Sequence, residues 1–131
     1  MTDTQIYAWI FLSVSDQPTS LQNVIALADW LNHAIPSHKE LQAGFGWLQA
    51  QGLVKKEGNY YSLTDKGIAL YKSISHGNRW DNVVKKFSKL PAIDFQLDDI
   101  TKEEVDTAYE LYSAQAKKIM RELGAKRKKS K

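Results

Sequence analysis

Residues 52–67, GLVKKEGNYYSLTDKG, carry two lysines, a Gly-Asn corner, two tyrosines and a helix-start signal in sixteen positions. Leu53 and Val54 open a strand, and Gly58-Asn59 supplies the corner. Tyr61 and Leu63 alternate with Tyr60 and Ser62 as in a half-buried return strand. Thr64 is placed to cap a helix in which Ile68, Tyr71 and Ile74 share a face. A short hairpin set between two helices is therefore the expectation.

Working upstream, Pro36 blocks helical geometry at Ile35, and Ser37 with Glu40 forms an S-x-x-E cap. The helix this starts has Leu41, Phe45 and Leu48 as its buried stripe and ends at Gly52. Thr19 and Gln22 resemble a further capping box, with Val24, Ala28 and Leu31 at helical spacing behind it, which predicts a helix over about 20–33. Residues 4–14, TQIYAWIFLSV, are apolar nearly all round. A helix buried on two sides is the preferred reading, with a strand as its competitor.

Downstream, the spacing predicts a helix over 79–90 with Trp80, Val83, Val84 and Phe87 inward, stopped by Pro91. A linker through DFQLDD follows. Thr101 and Glu104 then cap a last helix in which Val105, Tyr109, Tyr112, Ala116, Ile119 and Leu123 recur at steps of four and three, close to an a/d seam. Such a stripe predicts a dimer contact, and the competing reading folds it back on the first helix of its own chain.

The chain has 131 residues, 43% apolar and 25% charged, enough for one core with an appendage. It contains no cysteine, which excludes disulfides and thiolate metal sites. The apolar run IYAWIFL is too short to cross a bilayer, and a soluble, cytoplasmic protein without membrane attachment is expected. The net charge of +3 is unevenly placed: residues 1–75 carry five lysines against six acids, and five cations fall within the last six residues, KRKKSK. That segment, 126–131, is read as a flexible basic tail that adds DNA affinity or keeps the protein soluble.

The succession helix, helix, tight turn, helix, hairpin, helix over residues 21–67 resembles a winged helix-turn-helix domain, and the ending L-x-x-x-G-L-V-x-x-x-G-x-Y-x-L-T-x-x-G is similar to bacterial MarR-like and PadR-like transcription regulators. The resemblance implies a mainly α fold with a small β-hairpin wing: a winged-helix domain over 1–78, a helical extension over 79–125 and the tail. It makes Ser37 to Gln51 the recognition helix and Lys55 to Tyr60 the wing. Double-stranded DNA and a second copy of the chain are the partners implied. His38, Lys39, Gln42, Gln49, Lys55, Lys56 and Asn59 would form the DNA face, the glutamines reading adenine edges and the lysines meeting phosphates. Winged helices also serve as protein-contact modules, and Gly44 and Gly46 inside the recognition helix suit close packing of another element.

Other patterns read as structural. His33, His38 and His76 lack metal-site spacing, and neither a metal nor a cofactor is expected. The acids Asp98, Asp99, Glu103, Glu104 and Asp106 would complement a helix N-terminus. Trp9, Trp30, Trp47 and Trp80 read as core aromatics, with an exposed Trp47 as the sign of a ligand or partner groove. No nucleophile-base or metal-hydrolase pattern is present, so no enzyme chemistry is expected; operator and effector ligand are not legible.

Overall fold

The computed structural model describes the backbone of residues 1–129 and the side chains of residues 1–124. Helix α1 (Asp3–Leu12) opens with a capping box in which the Gln5 N–H donates to Thr2 Oγ1 at 3.2 Å and the Thr2 N–H to Gln5 Oε1 at 2.8 Å. Its residues Ala8 to Phe11 are all buried. Strand geometry is thereby ruled out, and the apolar character on every side has its cause: α1 lies among three other helices.

Strand β1 (Thr19–Ser20) precedes α2 (Leu21–Asn32). The cap of α2 falls one residue later than the capping box suggested: Ser20 Oγ accepts from the Asn23 N–H at 3.2 Å. Thr19 is held instead in the preceding turn, its hydroxyl donating to the Gln17 carbonyl at 2.9 Å. Helix α3 (His38–Ala50) begins with the Ser37/Glu40 box as expected. Strands β2 (Val54–Glu57) and β3 (Tyr60–Leu63) pair antiparallel, Val54 opposite Leu63 and Glu57 opposite Tyr60, around a corner where Gly58 has φ +59°. β1 adds to the free edge of β3, so the sheet has three strands in the order β1-β3-β2 where the sequence suggested two. Thr64 caps α4 (Asp65–Lys72), its hydroxyl accepting from the Gly67 N–H at 3.0 Å.

Helix α5 (Arg79–Ser88) returns to α1, where the Phe87 ring meets Phe11 edge-on at 5.3 Å and Trp47 at 4.9 Å. Val83, Phe87, Ile100 and Val105 belong to one core with α1 and α3, so the helical extension shares the interior of the preceding elements. Between α5 and α6 (Lys102–Lys129) runs an extended strap, residues 91–101. The fold is mainly helical with a small antiparallel sheet, and no described helix is long and apolar enough to cross a membrane.

Candidate interaction site

The outward face of α3 is the surface on which the sequence placed most of a DNA contact, and the strap lies across it. Gly46 makes this possible: a Cβ there would collide with the carbonyl oxygen of Gln96. One turn further toward the start of α3, the Asp98 N–H donates to the Gln42 carbonyl at 3.0 Å. Nε2 of His38 is bonded to the Ile100 carbonyl at 2.7 Å, and Ile100 itself is buried. Gly44 serves the opposite face, where α3 closes on Ile10 of α1; a Cβ would lie 2.8 Å from Ile10 Cγ1. The two glycines unfavourable to helix propensity thus admit the strap on one side and α1 on the other.

Asp98 fastens the strap. Only 6% exposed, its carboxylate accepts from Gln49 Nε2 at 2.7 Å, the Tyr61 hydroxyl at 2.9 Å, Lys56 Nζ at 3.0 Å and the Ile100 N–H at 3.0 Å. A buried carboxylate demands such partners, because its desolvation is tolerable only with charge-assisted hydrogen bonds. Lys56 also reaches Asp99 at 2.6 Å. Burial opposes the Lys56 ammonium, but its bonds to Asp99 and Asp98 outweigh this and hold its pKa above the ordinary lysine value. Burial first, and then the charge of Asp98, push the Tyr61 phenol up. The Lys56 hydrogen bond draws the exposed Asp99 carboxyl down. Lysine and tyrosine are therefore both held in their protonated forms near neutrality, a clamp rather than a pair poised to exchange protons. Tyr61 is fixed in turn by stacking on Phe45, centroids 3.7 Å apart.

The residues expected on the DNA face divide. His38, Gln49 and Lys56 are bound to the strap, and Gln42 is tied to it through its backbone. Lys39, Lys55 and Asn59 face solvent, Lys55 beside Glu57 at 3.5 Å. Asp98 and Asp99 do not decorate a helix start as expected, since α6 begins only at Lys102. Asp98 was the residue sequence reasoning missed; its side-chain partners lie 37 to 49 positions away, and the signal was only a pair of acids between Leu97 and Ile100. Beside the clamp is an open cleft of about 890 Å³, bounded by Gln49, Lys56, Gly58, Phe95 and Asp99.

The expected dimer seam divides as well. Val105 is buried in the chain's own core, and the Tyr112 hydroxyl donates to Asp29 of α2 at 2.6 Å. The proximal part of α6 therefore packs on α2, and the first helix, named by the competing reading, is not its support. Tyr109, Ile119 and Leu123 remain exposed. Trp9, Trp47 and Trp80 are core or half-buried, with Trp47 stacked on Tyr7 at 4.6 Å, but Trp30 is 77% exposed and corrects its reading as a core residue. The side chains of the basic tail, 126–131, all lie outside the described ones, and residues 130 and 131 lie outside the described backbone. Among the described residues no three His, Asp or Glu gather closely enough to hold a metal ion. No known family model matches the chain, and neither a curated protein nor a solved structure does.

Proposed function

We propose that the protein is a winged-helix module that works by protein contact, with the α3 face occupied by its own strap. The element order α1, β1, α2, α3, β2, β3 and the sheet order β1-β3-β2 support the winged-helix reading. The observation that carries the protein-contact reading is the clamp on Asp98. A recognition helix must lay its outward side chains against base edges in a groove about 12 Å wide. Here that side is already covered by a chain segment bearing Asp94, Asp98 and Asp99, carboxylates that phosphates repel. The exposed Trp30 on α2 suits a partner surface, since tryptophan is prominent among residues that dominate such contacts.

DNA binding is the second reading, favoured by the exposed Lys39 and Lys55 and by a basic end to α6. Selection from a random duplex library, with the full chain and with a form lacking residues 126–131, separates the two. The protein-contact reading expects no enriched motif, and any duplex binding to vanish with the tail and with added salt. Enrichment of one two-fold-related motif by both forms would overturn it.

A further inference from the structure

The strap runs the length of α3 in the opposite direction, and α3 meets its main chain. Gln51, the C-cap of α3, donates from Nε2 to the Pro91 carbonyl at 3.1 Å, and Gly46 lies under the Gln96 carbonyl. The Gln42 carbonyl accepts from the Asp98 N–H at 3.0 Å, and His38 Nε2 is bonded to the Ile100 carbonyl at 2.7 Å. One strap side chain is read from three elements at once: Gln49 of α3, Lys56 of β2 and Tyr61 of β3 converge on the Asp98 carboxylate. Contacts to main chain that hold an extended segment, with a fitted site that selects one side chain, are the chemistry of peptide recognition. Phosphates ask for cations instead, and of the three donors on Asp98 only Lys56 carries charge.

The occupant is held by polar bonds. Residues 91–101 form neither helix nor strand, and between Phe95 and Ile100 the segment buries Asp98 while leaving Gln96, Leu97 and Asp99 exposed, Leu97 at 59%. A segment with so little apolar burial opens locally at low cost. The open cleft of about 890 Å³ adjoins it, walled by Gly46, Gln49, Lys56 and Gly58 of the domain and by Phe95 and Asp99 of the strap, and gives an incoming chain a way to the Asp98 donors. We infer that the α3–wing face is a binding site for an extended, aspartate-bearing segment of a partner protein, and that the strap fills it in the free chain as a built-in competitor. This deepens the protein-contact reading and rests on it. Phe95 and Ile100 pack into the core on either side, so a displaced strap stays tethered at both ends and closes again when the partner leaves.

The test uses a labelled peptide of the strap sequence, PAIDFQLDDIT, and the same peptide with asparagine in the place of Asp98. Binding is followed by fluorescence anisotropy to the full chain and to an Asp98→Gly variant, which keeps the three donors and loosens the strap; circular dichroism verifies its fold. The variant is expected to bind the aspartate peptide and to hold the asparagine peptide about tenfold more weakly, as is a Lys56→Gln, Asp98→Gly chain for the aspartate peptide. Wild type should bind at least about tenfold more weakly than Asp98→Gly, because its own strap competes at an effective concentration on the order of millimolar. A second measurement needs no variant: excess peptide should speed amide exchange over 94–101 of the wild-type chain. A folded Asp98→Gly chain that binds neither peptide, or both alike, overturns the inference, as does wild-type exchange indifferent to excess peptide. If that failure comes with no duplex motif selected, the peptide site alone is lost and the protein-contact reading stands; an Asp98→Gly chain that selects a duplex motif and ignores the peptide sinks both.

Discussion

Two helices that sequence periodicity treats alike end up with opposite surfaces. The outward side of α3, polar and glycine-bearing, is covered by residues 94–101, whereas the apolar side of α6 is left half uncovered. Hydrophobicity does not decide the outcome here; reach does. The strap joins α5 to α6 and must cross α3 to get there, and a backbone can cross where Gly46 removes a side chain and a buried carboxylate finds four donors. Distal α6 has run past the end of α2, the helix on which its proximal part packs. Closed and open faces are thus consequences of chain connection, and each can be attacked separately.

The largest effect is expected at Gly46. Alanine there gains about 1 kcal/mol of helix propensity but drives its Cβ into the Gln96 carbonyl, a backbone atom that cannot rotate away. Overpacking of this kind costs several times that gain, so a net loss of about 2–3 kcal/mol is expected in urea unfolding, with faster amide exchange over 94–101. Gly44→Ala is the matched control. Its Cβ would meet Cγ1 and Cβ of the buried Ile10 at 2.8 and 3.2 Å, so a loss of about 1–2 kcal/mol is expected there too, without faster exchange over 94–101. Unchanged exchange over 94–101 in Gly46→Ala would mean that the strap does not rest on α3.

A smaller effect, about 2 kcal/mol, is expected for Asp98→Asn, which leaves Asp99 as the one carboxylate bonded to Lys56 and sets an amide donor against the Gln49 amide. It should also change the alkaline limit of stability. Lys56 and Tyr61 both bind their protons more tightly folded than unfolded, where their pKa values are near 10.5 and 10.0. Stability from both is therefore complete below about pH 10 and is lost as pH rises through the higher folded values. Denaturation midpoints should fall above pH 10 in wild type and fall less in Asp98→Asn. Identical alkaline profiles would show that the clamp does not hold these protons.

Much of the closed region was legible in outline and little of it in function. The Ser37/Glu40 and Thr101/Glu104 boxes, the Thr64 cap and the Gly58-Asn59 corner are local chemistry, in which residues at most three positions apart satisfy each other, and all occur as spacing implied. Strand β1 escaped because two residues have no period; only its pairing with Tyr60 and Tyr61 makes it a strand. Thr19 was read as the cap in place of Ser20 because its hydroxyl, too, has a polar residue, Gln22, three positions on. DFQLDD reads as linker because nothing nearby needs it, and its meaning comes from Gln42, Gly46 and Gln49 across the fold. Helical faces are visible in sequence, but what covers a face is not.

The smallest effect sharpens the open side. Trp30 is 77% exposed three residues after Leu27, itself partly open, and does not belong to the chain's core. Trp30→Ala should therefore change folding stability by no more than about 0.5 kcal/mol, the usual range for surface substitutions. Its fluorescence supplies an independent check. Trp9 and Trp47 are buried and Trp80 half-buried, so Trp30 should account for most of the emission quenched by iodide, and the alanine variant should lose that fraction. A loss above about 1 kcal/mol, or a Trp30 shielded from iodide, would mean that another surface already covers it. Dilution then tells which: protection that vanishes as concentration falls belongs to a second copy, and protection that persists places Trp30 against its own chain and removes it from the open face.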